Sequence, residues 1–294
     1  MVASEHDVAQ LLDQLQRAEL DECLDLMREN LVLLTPMVDA PLAALAADAE
    51  RRQDDYLRGR LDATRELLAW GRAVGPTAFL ESLNRREPVA PKASAHIEFF
   101  DLFLATGEPA FLDAAVELLE QQERDLPLDS GETRASVLYS LSVTLGARTA
   151  ARGDANDANR AVTAAGESVS ATPEGSPALA VRLANYASLL VKRFGWNRDP
   201  DDLDRAVDAG GRSVALEGRD QADRLKCNVV YADALATRYE VTRSLDDLHA
   251  AISAARRALG CAEVGSAEHS GAQQLMAHVL KLQARDGRDG ARQG

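Results

Sequence analysis

Residues 186–194 read YASLLVKRF, and residues 201–207 read DDLDRAV. Forty-five positions further on, residues 231–239 read YADALATRY and residues 246–252 read DDLHAAI, and the two copies align without a gap. Apolar, small and charged positions recur together, whereas the residues between them vary. Self-similarity at a fixed period of this size is typical of proteins built from stacked helical repeats.

Two weaker copies precede these. At 45 positions before the quoted stretch, the matching residues are Leu141, Leu145, Arg148, Asp157, Ala161 and Val162. A further 46 positions back, they are Phe99, Phe103, Pro109, Leu112, Ala115 and Val116. A match that fades toward one end is typical of the terminal units of a stack. The sequence therefore predicts four helical hairpins between residue 93 and about residue 260, with a last helix at about 266–283 that covers the open end.

Each copy predicts two helices joined by a turn. The apolar stripe of the first helix in the third copy recurs at i, i+4, i+7 and i+11, at Leu183, Ala187, Leu190 and Phe194. Gly195 and residues 197–200 predict the turn. Asp201 and Asp202 then open the second helix, where acidic side chains interact favourably with the positive end of the helix dipole. Hairpins of this kind predict an all-α solenoid.

The flanking regions differ from the array. Residues 1–86 have their own helical periodicity without the repeat, which predicts a small N-terminal helical module. Residues 87–91, EPVAP, predict a short stiff linker. The array then covers residues 93–283, and the charged, glycine-rich residues 284–294 predict a disordered tail.

Composition supports helical packing and restricts the partners. Hydrophobic residues make up 46% of the 294 residues but aromatic residues only 4%, which suits closely packed helices better than a β-sandwich. The net charge of −14 disfavours nucleic acid and anionic membrane surfaces as partners. The three cysteines are scattered, no apolar run approaches the length of a membrane span, and the first residues lack a signal-peptide pattern. These features predict a cytoplasmic protein.

In these copies the sequence resembles the tetratricopeptide repeat superfamily in an enlarged form. In the first helix of the third copy, the resemblance is carried by Tyr186, Ala187 and Leu190, which resemble the family's Leu, Gly and Tyr. In the second helix, Leu203, Ala206 and Ser213 resemble its Tyr, Ala and Ala. Leu248, Ala251 and Ala258 do the same in the next copy. The family's usual repeat has 34 residues. The longer repeat resembles arrays of actinobacteria and cyanobacteria that often stand beside caspase-like CHAT protease or NTPase domains.

The resemblance implies both a shape and an activity. It implies a right-handed superhelical array, in which the first helices of the hairpins line a concave groove that binds another protein. Residues 33–36 and 61–75 also resemble the helical module that precedes such arrays. Fold does not by itself determine function, so the chemical motifs of the sequence matter as well.

The sequence has no recognisable catalytic, metal or nucleotide motif. Residues 199–204, DPDDLD, begin like a calcium-binding loop but place Leu203 and Asp204 where an EF-hand needs an oxygen ligand and a glycine. His96 and Glu98 match the opening of the zinc deaminase signature, but no P-C-x-x-C follows. The phosphate-binding pattern G-x-x-x-x-G-K-[ST] is also absent. We therefore predict no catalytic residue, no metal and no cofactor, and assign helix capping to residues 199–204.

Arg148, Arg193 and Arg238 recur at 45-residue steps and have two interpretations. As a surface anion ladder, their guanidinium groups would bind carboxylates of an acidic partner. As an internal buttress, they would pair with acids of the second helices, namely Asp157, Asp202 and Asp247. The buttress is favoured, because the arginines and the acids recur together.

The family pattern places one face of the first helices on the concave groove. The residues expected there are mostly apolar, and they are Ile97, Phe100, Tyr139, Val143, Ala184, Ser188, Val191, Val229, Asp233 and Ala236. An exposed apolar lining of this kind predicts a contact site. Its occupant is either an apolar or helical segment of another protein, or the protein's own residues 1–86 or a second copy of the chain.

The sequence therefore predicts an interaction module, an adaptor or scaffold that holds a protein or peptide. The alternative is a cofactor-free enzyme, in which an apolar helical cavity shapes a small molecule of a biosynthetic pathway. A deep closed pocket with converging polar groups would favour the enzyme. A third interpretation is a scaffold that forms homo-oligomers.

Overall fold

The computed structural model describes residues 5–18, 20–85, 94–127, 130–216 and 220–293. Within these ranges the chain forms fourteen α-helices, two short 3-10 helices at Leu31–Leu34 and Pro36–Val38, and no strand. This confirms the all-helical prediction. The α-helices, numbered α1 to α14 in chain order, are Glu5–Arg17, Leu20–Glu29, Asp39–Arg51, Asp55–Val74, Pro76–Arg85, Ala95–Thr106, Ala110–Asp125, Gly131–Arg152, Ala155–Ala171, Leu179–Asn197, Pro200–Ala215, Gln221–Thr242, Leu245–Cys261 and Ala267–Gln293.

The chain divides into two compact units. Unit 1 comprises residues 1–126 and 147–153, and unit 2 comprises residues 127–146 and 154–294. The first predicted hairpin, α6 with α7, therefore belongs to the same compact unit as the N-terminal helices. The predicted linker and domain boundary fall within residues 86–93, which lie outside the described residues.

The core of unit 1 surrounds the first 3-10 helix. Leu34 and Phe79 have no exposed surface, and Trp70 packs edge-on against Phe79 with 5.8 Å between the ring centroids. A Cβ atom at Gly71 would lie 2.7 Å from the Phe79 ring and 2.9 Å from the Leu34 side chain. Only glycine therefore lets α4 approach these two residues so closely.

Buried Arg72 connects three helices of unit 1. Its guanidinium donates hydrogen bonds to both carboxylate oxygens of Asp39 in α3, at 2.8 and 3.0 Å, and to Glu117 of α7 at 2.7 Å. Desolvation opposes the charge of Arg72, but the bonds to Asp39 and Glu117 outweigh it and raise the pKa of Arg72. The two ion pairs hold the first hairpin against α3 and α4.

The hairpins of unit 2 pack through small side chains. The predicted stripe of α10 is buried, with at most 5% exposure at Leu183, Ala187, Leu190 and Phe194, which confirms the predicted packing face. Ala206, Ala232 and Ala251 on the other helices are fully buried as well. Side chains this small allow helix axes to approach closely. Ser168 of α9 also donates a hydrogen bond to the Ala135 carbonyl of α8 at 2.7 Å.

Successive hairpins of unit 2 pack a tyrosine against a glycine. Tyr186 of α10 lies against Gly166 of α9, and Tyr231 of α12 lies against Gly211 of α11. A Cβ atom would lie 3.4 Å from the tyrosine ring at Gly166 and 3.6 Å at Gly211. The same contact thus recurs after 45 residues, so the two copies that match best in sequence are also equivalent in packing.

The turn within each hairpin begins with a residue in the left-handed conformation. These residues are Gly107, Gly153, Arg198 and Arg243, with φ of 73°, 71°, 57° and 59°. A non-glycine residue costs about 1 kcal/mol in this conformation, so the last two turns are mildly strained. The predicted turn begins at Gly195, but α10 continues to Asn197 because the Arg198 N–H, bonded to the Phe194 carbonyl, closes the helix.

The residue after each left-handed position caps the second helix. The side chains of Asp154, Asp199 and Ser244 accept hydrogen bonds from backbone N–H groups at the starts of α9, α11 and α13. In the first hairpin, Glu108 accepts a bond from the Ala110 N–H at 3.3 Å. Capping, which the sequence predicts for residues 199–204, is therefore confirmed for Asp199.

Helix α14 covers the end of unit 2. Leu275, Val279 and Leu282 pack against α12 and α13, which confirms the predicted last helix. The predicted disordered tail at residues 284–294 differs from the structure, because α14 continues to Gln293.

We predict that Tyr239→Phe raises the free energy of unfolding by about 1 kcal/mol, because an unsatisfied buried polar group is destabilising. Tyr239 is fully buried, and its hydroxyl has no hydrogen-bond partner among the described residues. Phe194 occupies the equivalent position one repeat earlier. Urea unfolding followed by circular dichroism measures the change. The reverse substitution, Phe194→Tyr, is the matched control and should lower stability. A clear loss of stability in Tyr239→Phe would contradict the prediction.

Candidate functional site

Two arginine–aspartate pairs, each with a buried carboxylate and a partly exposed guanidinium, connect the two helices of the last two hairpins of unit 2. We call each pair a clasp. Arg193 of α10 donates two hydrogen bonds to Asp202 of α11, at 2.9 and 2.5 Å. One repeat later, Arg238 of α12 donates two to Asp247 of α13, at 2.8 and 2.6 Å. The buttress interpretation is confirmed for both. The anion ladder is wrong for them, because their guanidinium groups are already occupied.

The ion pair keeps both Arg193 and Asp202 charged. Burial alone would raise the pKa of Asp202, but hydrogen bonds from Arg193 and Asn197 outweigh desolvation and lower it. The hydrogen bond to Asp202 likewise raises the pKa of Arg193, against the effect of desolvation. The ion pair therefore persists throughout the neutral pH range.

Arg148 connects neighbouring hairpins within unit 1. It donates a hydrogen bond to Asp113 of α7 at 3.1 Å, and Arg152 donates to the same carboxylate at 2.8 and 2.6 Å. In unit 2, Arg238 makes the corresponding contact with Asp204 of α11 at 3.0 Å. The anion ladder is thus wrong for Arg148 as well, since this side chain already binds an acid of the preceding hairpin.

The structure exposes some of the residues predicted to line the groove and buries others. In unit 1, Ile97 is half exposed and Phe100 is partly buried near Phe103. In unit 2, six of them are partly or fully open to solvent, namely Tyr139, Val143, Ser188, Val191, Val229 and Asp233. The other two, Ala184 and Ala236, are 0% and 1% exposed, so their predicted place in the groove is wrong.

The two buried alanines lie where first helices meet. Ala184 of α10 packs with Cys227 of α12, and Ala236 of α12 packs in the cluster that contains Val279 of α14. Small residues are needed at these points, because larger ones would separate the helix axes. Apolar character alone does not distinguish such a contact from an open wall.

Val191 belongs to the same kind of contact. It is equivalent in the repeat to Gly146 of α8 and Ala236 of α12. A Cβ atom at Gly146 would lie 2.8 Å from the Leu189 side chain of α10, so this position faces the neighbouring helix. Val191 is accordingly only partly exposed, and it belongs to a contact between helices rather than to the groove alone.

One contact identifies the concave side of unit 2. Lys226 Nζ of α12 lies 3.2 Å from the Tyr139 hydroxyl of α8. Helix α10 stands between these helices, since Asn185 of α10 binds Ser142 of α8 and α10 packs against α12. Side chains of two helices separated by a third meet most readily on the side toward which the stack curves. Tyr139 and Lys226 therefore point to the concave side.

Two rows of exposed or half-exposed residues extend from this point at helical spacing. We call them the concave face, and they are Val181, Asn185, Ser188, Lys192 and Gly195 in α10 and Lys226, Val230, Asp233, Thr237 and Glu240 in α12. The face is more polar than the sequence predicts. Sequence reasoning missed Lys192 and Lys226, although they are two of only four lysines in the chain.

Asp233 is exposed near the middle of the concave face. Its surface is open to water, but the surrounding groups desolvate the carboxylate and raise the pKa of Asp233, while Lys192 and His278 act in the opposite direction. Within the described residues this carboxylate accepts no hydrogen bond. His278 of α14 lies 45 positions after Asp233 and 3.9 Å from Glu240, so α14 extends the polar rows.

The part of the chain that the structure describes has neither a metal-binding cluster nor a membrane-spanning helix. No group of three or more histidine, cysteine, aspartate or glutamate residues there could hold a metal ion. No helix there is long and apolar enough to cross a membrane.

We predict that Arg193→Ala lowers the free energy of unfolding by roughly 3 kcal/mol, because it leaves the buried Asp202 carboxylate uncompensated. Arg212→Ala is the matched control. Arg212 is 59% exposed and only 4.0 Å from Asp208, so its removal should change stability by less than about 0.5 kcal/mol. Equal effects in the two variants, measured by urea unfolding, would contradict a structural clasp.

The same pair predicts a pH dependence. Because the pKa of Asp202 is lowered in the folded state, its stabilisation is present above the unfolded pKa of about 3.9 and is lost as the pH falls through the folded value. The stability difference between the wild type and Arg193→Ala should therefore narrow below about pH 4. A difference that stays constant in acid would show that the clasp is not ionic.

Comparison with known proteins does not place the chain in a family. No family model matches the chain, and a search of curated proteins gives no match either. The resemblance to the tetratricopeptide repeat superfamily rests on the recurring residues themselves, and membership of that superfamily stays a prediction.

Proposed function

We propose that this chain is a protein–protein interaction module, an adaptor or scaffold, and that its concave face binds a helical segment of another protein. The observation that carries the proposal is the exposed Asp233 carboxylate on the concave face, which lies near Lys192 and His278 and accepts no hydrogen bond from the described residues. Ser188 and Thr237 of the concave face have short side chains, which leave room for an occupant. A basic residue of a bound segment would supply the missing partner.

The charge pattern of the concave face favours a polypeptide. Lys226 begins the row of α12 and Glu240 ends it, while α10 contributes Lys192. An amphipathic helix can pair with charges of both signs and cover Val181 and Val230 with apolar side chains. The polar rows therefore favour such a helix over the wholly apolar segment that the sequence alone allows. A net charge of −14 disfavours nucleic acid and anionic membranes.

The resemblance to the tetratricopeptide repeat superfamily supports the same proposal. In that superfamily the first helices of a right-handed superhelix line the binding groove. We expect the same handedness and the same use of the concave face here, in a cytoplasmic setting. Occupation by residues 1–86 or by a second copy of the chain is an outcome that the following experiment distinguishes.

We predict that Asp233→Arg weakens partner binding at least tenfold, about 1.4 kcal/mol, because it places a cation where the partner's basic residue binds. Tagged wild-type chain captures partners from an extract of the source cells, and mass spectrometry identifies them. Calorimetry with the purified partner then gives Kd for each variant. The melting temperature should change by no more than about 2 °C, because Asp233 is exposed.

Asp208→Arg is the matched control, because it makes the same charge change at a side chain of α11 that is 72% exposed and outside the concave face. Equal binding by the two variants would reject the concave face as the site. If Asp233→Arg instead disperses an oligomer in light scattering, or lowers the melting temperature markedly, the face is filled by a second copy or by the chain itself.

A further inference from the structure

Helix α14 occupies the place of a first helix in the stack of unit 2. Met276 of α14 packs in the cluster that contains Ala255 of α13, just as Tyr231 of α12 packs on Gly210 of α11. Each residue of the later pair follows its counterpart by 45 positions. The repeat therefore continues into α14 without a gap, and the residues of α14 can be compared with those of α10 and α12 position by position.

One face of α14 is open where the same face of α10 and α12 is buried. Leu280 is 46% exposed, whereas its equivalents Leu190 and Leu235 are 0% and 2% exposed. Ala277 is exposed as well, although the alanine at the same position of α10 and α12 is fully buried. The exposed residues that correspond to the packing stripe of α10 form what we call the open face, and they are Gln273, Ala277, Leu280 and Ala284.

In each of the two preceding hairpins, the second helix covers this face. Leu235 of α12 packs with Leu248 and Ala251 of α13, and α11 packs on α10 in the same way. Among the described residues no second helix covers the open face of α14. Both covering helices bury a leucine followed by small residues at i+3, i+7 and i+10, namely Leu203, Ala206, Gly210 and Ser213 in α11 and Leu248, Ala251, Ala255 and Ala258 in α13.

We propose that the open face binds an amphipathic helix of a partner protein, which packs on α14 as α11 packs on α10 and as α13 packs on α12. The open face continues an interface that the chain itself forms twice, and this continuity identifies the kind of occupant. The partner helix carries a leucine and small residues at the spacing seen in α11 and α13. Small side chains on both helices allow their axes to approach closely.

Other occupants fit the open face less well. An extended segment would leave its own backbone groups unpaired, because the N–H and C=O groups of an α-helix bond within the helix. Nucleic acid is bound through cationic side chains, and none of the four residues of the open face is charged. In a second copy of the chain, the helices α9, α11 and α13 are already packed against first helices and would have to leave them.

The open face is separate from the concave face, so this proposal does not depend on the function proposed above. Asp233→Arg, which tests the concave face, leaves the open face unchanged. The two proposals can therefore fail independently of each other.

The probe is a fluorescein-labelled peptide of residues 244–262, the segment that forms α13, with Cys261→Ser to prevent disulfide formation. It carries the residues that cover the equivalent face of α12. Fluorescence anisotropy with the full chain should show saturable binding with Kd below about 1 mM. A control peptide with Leu248→Glu and Ala251→Glu should bind at least about tenfold more weakly, because its carboxylates would be buried without partners.

The matched protein variants are Leu280→Glu and Gln274→Glu. Leu280→Glu should weaken binding of the peptide at least about tenfold, because it places a carboxylate in the middle of the open face. Its melting temperature should change by no more than about 2 °C, since Leu280 is 46% exposed. Gln274→Glu introduces the same residue at an exposed position of α14 outside the open face, and it should bind as the wild type does.

A gain of affinity tests whether the peptide packs as a second helix does. Gln283 stands at the position that Arg193 and Arg238 occupy in α10 and α12. Gln283→Arg should therefore form a clasp with Asp247 of the peptide and tighten binding about threefold or more. A peptide with Asp247→Asn should gain much less from the same variant.

Four results would overturn the proposal. The first is no binding of the peptide to the wild type up to about 1 mM. The second is equal binding by Leu280→Glu or by the control peptide, which would place the peptide elsewhere on the chain. The third is no gain of affinity in Gln283→Arg. The fourth is a dimer in light scattering that Leu280→Glu disperses, which would assign the open face to a second copy.

Discussion

Each of the last two hairpins depends on a buried ion pair between its helices. Arg193 holds Asp202, and Arg238 holds Asp247, with two hydrogen bonds in each pair. Such a pair adds little net stability over apolar packing, but breaking it strands a buried charge. It therefore favours one arrangement of the two helices over others. The left-handed residue and the capping residue between the helices complete the turn, and the stacking of hairpins in unit 2 follows from this geometry.

Because the clasp recurs after 45 residues, neighbouring hairpins meet through equivalent faces. Tyr186 and Tyr231 each pack against a glycine of the preceding hairpin, and alanines fill the close approaches between first helices. The surfaces that remain exposed are therefore repeated too. No single hairpin makes the concave face, since Lys192 of one helix and His278 of another both act on the Asp233 carboxylate.

The sequence alone predicted the packing face well and the exposed face of the first helices poorly. The buried stripe and the pairing of arginine with aspartate were both evident from residues 186–252. The groove lining was chosen by apolar character, which selected Ala184 and Ala236 and missed Lys192 and Lys226. Small apolar residues belong where helix axes come closest, and that point is the contact between first helices rather than the open wall. The exposed or half-exposed residues of the concave face lie next to these alanines in the sequence, for example Asn185 after Ala184 and Thr237 after Ala236.

The sequence by itself determined the helical class, the 45-residue period and the residues of the packing stripe, because these follow from local periodicity and residue type. The tertiary structure alone decided which side of the first helices is concave and that His278 extends the row of Asp233. These properties depend on the direction in which unit 2 curves and on distances between residues far apart in the chain. The same periodicity is compatible with either direction of curvature, so only the packed helices determine it.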